Sequence, residues 1–114
     1  MADVKTLGYK IGLHTSGYYP ENFAAALPLT DWVGLDIKAP FGERYEQLTR
    51  TRGVADRVRQ SLAALLASGK DYQLRLTFDP AFHHADDEVI INQMLGEHGA
   101  HPLTVQTLNK NLLL

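Results

Sequence analysis

The stretch YKIGLHTSGYYPENFAAALPLTDWVGLDIK, residues 9–38, contains the pattern from which the fold class of this chain is predicted. It begins with a strand-like run, Tyr9–Thr15, and ends with a second one, Trp32–Ile37, each bounded by Gly, Asp or Lys. Between them, Pro20 suits the first turn of a helix with an Ala-rich body, and Pro28 is predicted to end that helix. A strand, a helix and a strand in this order predict parallel pairing with a right-handed crossover.

The same alternation continues to the end of the chain. Two more strands are predicted at Tyr72–Phe78 and Leu103–Leu108. Helices are predicted at Val54–Gly69 and Asp86–Gly99, a short one at Gly42–Thr49, and a frayed tail at residues 109–114. The prediction is therefore one α/β domain over residues 1–114, a partial (β/α) barrel fragment with about four parallel strands and crossover helices.

Composition excludes several classes of function. The chain has 114 residues, a formal net charge of -2 and no cysteine. The near-neutral charge gives no support for nucleic acid as a partner, and the apolar runs are too short to span a membrane. The N-terminal residues show no signal-peptide hydrophobic region, so we expect a cytoplasmic protein. Without cysteine, this chain cannot hold a thiolate-bound zinc ion or iron–sulfur cluster.

Polar residues gather where the predicted strands end. His14 and Thr15 end the first strand, Asp36 and Lys38 end the second, and Arg75 lies within the third. In parallel α/β folds, functional groups collect at the carboxyl ends of the strands. Because side chains alternate along a strand, Asp36 and Lys38 share one face while the apolar residues point to the other. We therefore expect a polar ligand cavity on one side of the sheet.

Each of these features also has a simpler interpretation. Asp36 and Lys38 could form an ion pair or a loop cap, and His14 could be a histidine satisfied within the fold. Ser16 has no G-x-S-x-G sequence around it, so turn chemistry is favoured over a nucleophile. The segment HHADDE, residues 83–88, resembles a metal site, but a solvated loop that begins an acidic helix explains it as well and is favoured.

Two segments, Leu7–Gly17 and Thr30–Pro40, carry a family resemblance. They resemble the radical S-adenosylmethionine activating enzymes of glycyl-radical enzymes, most closely the activating proteins of anaerobic ribonucleoside-triphosphate reductase. The likeness continues through LASGKDYQLRLTFDPAF, residues 66–82. It implies a partial (β/α)₆ barrel that binds S-adenosylmethionine and a [4Fe-4S] cluster held by a C-x-x-x-C-x-x-C motif. That motif and the family's G-G-E motif are absent here, so we expect a C-terminal portion that is inactive alone.

The resemblance also implies roles for individual residues. His14 and Thr15 align with the family's Asp-Thr loop, which helps to form a cation site beside the cofactor, although His14 stands in place of the acid. Asp36 and Lys38 match the family's D-x-K pair, and Arg75 matches an arginine that faces the cofactor's carboxylate. These five residues are the expected cofactor-binding set, with no catalytic residue or metal ligand assigned. The implied partner is anaerobic ribonucleotide reductase or another glycyl-radical enzyme, such as pyruvate formate-lyase.

Two other hypotheses stay open at this point. One is a Schiff-base aldolase with Lys38 as the nucleophile at a strand end. The other is a non-catalytic interaction module, because four strands cannot close a barrel and leave sheet edges open. In that case we expect self-association through the edges, or their coverage by the chain's own tail.

Overall fold

Four parallel strands form a single sheet in the computed structural model, which describes residues 10–107. The strands are β1 (Gly12–Thr15), β2 (Trp32–Asp36), β3 (Asp71–Phe78) and β4 (Thr104–Thr107). Their order in the sheet is their order in the chain, and each pair is parallel. This confirms the predicted α/β fold, a partial β/α arrangement with crossover helices. The predicted tail, residues 109–114, lies outside the described residues.

Helices supply the crossovers between successive strands. They are α1 (Pro20–Ala26), α2 (Glu43–Thr49), α3 (Val54–Ser68) and α4 (Asp87–Glu97). Pro20 lies in the first turn of α1, as predicted, and Gly69 ends α3 with a positive φ of 71°. The α-helix ends at Ala26, just before Pro28, as predicted, and Pro28 lies in the 3₁₀ turn that follows, Leu27–Leu29. A proline near the start of such a turn needs no N–H donor there. None of the helices in the described part of the chain has the length and apolar character to cross a membrane.

The first strand is shorter than the sequence predicts. Its ladder begins at Gly12, because the N–H of Ile11 donates to the carboxylate of Asp31 at 2.7 Å. The carbonyl of Ile11 in turn accepts from the backbone N–H groups of Asp31 and Trp32. A side chain and a turn therefore satisfy the backbone before the regular ladder starts.

One face of the sheet is buried under the helices. Val33, Leu35 and Ile37 in and just after β2, with Leu74 and Leu76 of β3, are at most 1% exposed. They form one core cluster with apolar residues of all four helices: Phe23, Tyr45, Val58, Leu62, Leu65, Ile91 and Leu95. The alternation in the sequence predicted this face correctly. The opposite face carries polar and charged side chains such as His14, Asp36 and Arg75, none of which is buried.

Candidate functional site

The polar face of the sheet brings the predicted residues together at its carboxyl end. His14, Thr15 and Asp36 line a pocket of about 410 Å³ beside the loop that follows β1. Asp36, Lys38 and Arg75 line a second pocket of about 270 Å³ beside the ends of β2 and β3. The two pockets share Asp36, so the five residues line two adjoining pockets. The first volume lies within, and the second just below, the range of about 300–1,000 Å³ that is typical of small-molecule sites.

His14 and Arg75 meet across the middle strand. Nη1 of Arg75 lies 3.1 Å from Nδ1 of His14, although the two residues belong to β1 and β3. Because a guanidinium can only donate, Nδ1 must be the unprotonated nitrogen of the imidazole. Nη2 of Arg75 also reaches Oε1 of Gln106 on β4, at 3.5 Å. This arginine therefore links three strands on the open face.

Gly34 makes the contact between His14 and Arg75 possible. It lies on β2 opposite His14, and a Cβ added there would be 2.9 Å from Nδ1 of His14. The same Cβ would be 3.0 Å from the ring of Trp32, which contacts the His14 ring edge-on at 5.1 Å between centroids. The missing side chain thus leaves room for the imidazole to lie over β2.

Asp36 and Arg75 are direct neighbours that do not pair. They are register partners on β2 and β3, on the same face of the sheet. Arg75 turns instead toward His14 and Gln106. Within residues 10–107, the carboxylate of Asp36 makes no hydrogen bond or ion pair, and it forms no ion pair with Lys38. The structure thus shows no Asp36–Lys38 ion pair. Asp36 and Arg75 lie side by side with opposite charges, and both can form further hydrogen bonds.

Lys38 lies just beyond the end of β2. Its Nζ is 5.5 Å from the centre of the Tyr18 ring, a cation–π contact with the loop after β1. Its backbone N–H donates to Oη of Tyr45 at 3.1 Å, and its carbonyl accepts from Nε2 of His83 at 2.8 Å. The backbone of Lys38 is thus fixed on both sides, while its ammonium group lies at the pocket rim.

Thr15 has a local bonding partner. Its Oγ1 accepts from the N–H of Gly17 at 3.1 Å, which forms the turn from β1 toward α1. Gly17 has φ 71°, and its carbonyl accepts from Oγ of the buried Ser61 at 2.8 Å. The turn chemistry favoured for this loop is confirmed, and the role of Thr15 in binding stays a prediction.

The segment 83–88 is less solvated than the sequence suggests. Its acidic residues do begin α4, as predicted, but His83 is only 8% exposed and Asp87 only 1%. Both ring nitrogens of His83 bond to backbone groups, and the Arg44 guanidinium donates to both oxygens of Asp87 at 2.6 and 2.8 Å. These bonds to Arg44 lower the pKa of Asp87 to about 2. The favoured loop interpretation therefore needs correction: partners within the protein take the place of water at these two residues.

Sequence reasoning missed the parts played by Tyr45 and His83. Tyr45 is fully buried on α2, and its hydroxyl also lies 3.4 Å from the carbonyl of Asp36. The pattern GERYEQLT indicated only a short helix, so no signal marked a tyrosine hydroxyl at the end of β2. A His four residues after Asp79 was visible in the sequence, but its burial depends on Phe78 and Phe82, which flank its ring.

The donor groups fit some cofactors and not others. A cysteine-bound iron–sulfur cluster does not fit, because the chain has no cysteine. In the part of the chain that the structure describes, no three His, Asp or Glu side chains converge as a metal site. A ligand that carries a carboxylate and an ammonium group fits the donor set, because Arg75 and Lys38 suit a carboxylate and Asp36 suits an ammonium group.

Comparison with known proteins leaves the site to be interpreted from its own geometry. No family model matches the chain, and no curated protein or solved structure matches it significantly.

Proposed function

We propose that this chain is part of an activating enzyme for a glycyl-radical enzyme, and that its sheet binds the cofactor. The proposed partner is anaerobic ribonucleotide reductase, and the proposed location is the cytoplasm. The role of the chain is to bind S-adenosylmethionine at the carboxyl ends of β1–β3. Two things support the proposal. The motifs at residues 7–17 and 30–40 resemble this family, and the fold brings His14, Asp36, Lys38 and Arg75 to one open face.

The neighbours Asp36 and Arg75, which do not pair with each other, carry the proposal. An α-amino acid group presents a carboxylate and an ammonium a few bonds apart. Arg75 can donate to the carboxylate while Asp36 accepts from the ammonium, and Lys38 adds a second cation at the rim. If the two side chains served only the fold, register partners of opposite charge would be expected to pair with each other.

The chain's own residues bind and orient; they do not cleave the cofactor. In the family resembled, the reductive chemistry belongs to S-adenosylmethionine and an iron–sulfur cluster. Since no cysteine here can hold such a cluster, we expect no cofactor cleavage by this chain alone. Incubation with iron, sulfide and dithiothreitol tests this. An absorption band of a [4Fe-4S] cluster, together with cleavage of the cofactor, would contradict it.

Calorimetric titration tests the binding proposal directly. The probes are S-adenosylmethionine and 5′-methylthioadenosine, which lacks the amino acid group. We expect Asp36→Asn and Arg75→Gln each to weaken binding of S-adenosylmethionine roughly tenfold, the size of one lost charge-assisted hydrogen bond. Binding of 5′-methylthioadenosine should not change, because it makes no contact with these charges.

Two exposed residues provide matched controls for the titration. Arg52→Gln and Glu97→Gln make the same kinds of change on the helical side of the molecule, and both should bind like the wild type. Failure of the wild-type chain to bind S-adenosylmethionine, or equal losses in the control variants, would overturn the proposal.

A further inference from the structure

We propose that Tyr45 and His83 form a strand-end clamp, a pair of positioning residues that hold Asp36 and Lys38 at the ligand pocket. The clamp acts through the backbone beyond the last regular pairing of β2. Its effect on ligand binding rests on the function proposed above, whereas its effect on the backbone does not.

The backbone of β2 needs such support after Asp36. The ladder with β3 ends at the pair Asp36–Arg75, followed by one bond from the N–H of Ile37 to the carbonyl of Arg75. Lys38 lies past this point, so neither its N–H nor its carbonyl has a strand partner among the described residues. Both groups are bonded by side chains from elsewhere in the fold. Unsupported, they would have to turn toward water and carry the Lys38 side chain with them.

Tyr45 supplies the first contact from α2. Its hydroxyl accepts from the N–H of Lys38 at 3.1 Å and is placed to donate to the carbonyl of Asp36 at 3.4 Å. The hydroxyl therefore bridges the two residues on either side of Ile37. Burial raises the pKa of Tyr45, which keeps the hydroxyl protonated and able to donate.

His83 supplies the second contact from the loop between β3 and α4. Its Nδ1 accepts from the N–H of Asp79 at 2.9 Å, and its Nε2 donates to the carbonyl of Lys38 at 2.8 Å. Since a backbone N–H only donates and a carbonyl only accepts, these partners fix the neutral tautomer with hydrogen on Nε2. One imidazole thus joins the chain just after β2 to the chain just after β3.

Packing keeps the imidazole in this orientation. The Phe78 ring stacks against it at 5.3 Å between centroids, and the Phe82 ring meets it edge-on at 5.1 Å. The guanidinium carbon of Arg44 lies over the Phe82 ring, 5.1 Å from its centroid, and Arg44 also binds Asp87 at the start of α4. The loop that carries His83 is therefore anchored independently of Lys38, as a positioning contact requires.

Amide hydrogen exchange and ligand titration of four variants test the clamp. Tyr45→Phe removes only the hydroxyl, and His83→Phe keeps a ring but removes both bonds. His83→Gln is the conservative variant, since its amide can still donate to the carbonyl of Lys38. Val58→Ala is the control: it removes buried volume from the core face of α3, and Val58 takes part in neither of the bonds to Lys38.

We expect Tyr45→Phe to speed hydrogen exchange of the Lys38 amide roughly tenfold, because this amide loses one hydrogen bond. The amides of Leu35 and Leu74 should keep their protection from exchange. Affinity for S-adenosylmethionine should fall roughly threefold to tenfold, with that for 5′-methylthioadenosine unchanged. His83→Phe should also reduce the affinity, and His83→Gln should restore part of it. Val58→Ala should speed exchange at all of these amides in parallel.

The outcomes separate the two proposals. If wild-type chain binds no S-adenosylmethionine, the proposed function fails, and selective exchange at Lys38 still reports the clamp. If Tyr45→Phe and His83→Phe both speed exchange uniformly, as Val58→Ala does, the clamp is overturned. If exchange rises only at Lys38 but affinity for S-adenosylmethionine is unchanged, the positioning role is overturned.

Discussion

A single missing side chain, at Gly34, determines how the open face of the sheet is organised. Gly34→Ala would place a methyl group 2.9 Å from Nδ1 of His14 and 3.0 Å from the Trp32 ring. We expect the imidazole to leave Arg75 and the protein to lose about 1–2 kcal/mol of unfolding free energy, the usual cost of crowding. The ¹⁵N shifts of the His14 ring and thermal unfolding measure the two effects. The control is Gly96→Ala on α4, where a Cβ would meet nothing within 4 Å, and this variant should not be destabilised. Unchanged His14 shifts in Gly34→Ala would contradict the proposal that Gly34 makes room for the imidazole.

At the scale of elements, the Arg44–Asp87 ion pair joins α2 to the start of α4. Because bonds from Arg44 hold the pKa of Asp87 at about 2, the pair stabilises the folded state above the unfolded pKa of about 3.9. That contribution should be lost as pH falls from about 4 toward about 2. We expect the unfolding free energy of the wild type, relative to Asp87→Asn, to fall by about 1–2 kcal/mol over this range.

Chemical denaturation at a series of pH values measures this difference. Asp56→Asn is the control, because the Asp56–Arg59 pair is exposed and should contribute little at any pH. A difference between wild type and Asp87→Asn that stays constant from neutral pH down to about pH 2 would show that the pair does not act this way.

For the whole molecule, the open sheet edges determine how it meets other chains. Within residues 10–107, β1 and β4 each have one strand neighbour, so each has an edge without a pairing strand. We expect self-association that grows toward high micromolar concentration. Light scattering measures it. Thr104→Lys puts a charge on β4 and should reduce self-association, whereas the control Gln93→Lys on α4 should not. A constant monomeric mass at all concentrations would contradict the expected self-association.

How much of this the sequence predicts depends on the range of the interaction. The fold follows from local patterns: alternation placed Val33, Leu35 and Ile37 in the core, and Gly69 marked the end of α3. Pro28 correctly marked the end of α1, but the 3₁₀ turn that follows was not predicted, because Pro28 fits such a turn as well as irregular chain.

The site is less predictable, since its decisive contacts join distant residues. Strand ends brought His14, Asp36, Lys38 and Arg75 to one edge, as expected for parallel strands. That Arg75 turns to His14 rather than to its neighbour Asp36 depends on side-chain packing over three strands, which no local pattern encodes.

Amide chemical-shift mapping of the labelled chain during titration with S-adenosylmethionine shows whether this open face binds the cofactor. We expect shifts at the carboxyl ends of β1–β3, at His14, Asp36, Lys38 and Arg75, whereas 5′-methylthioadenosine should leave Asp36 and Arg75 unshifted. Shifts confined to the helical side, or no shifts at saturating S-adenosylmethionine, would contradict this expectation.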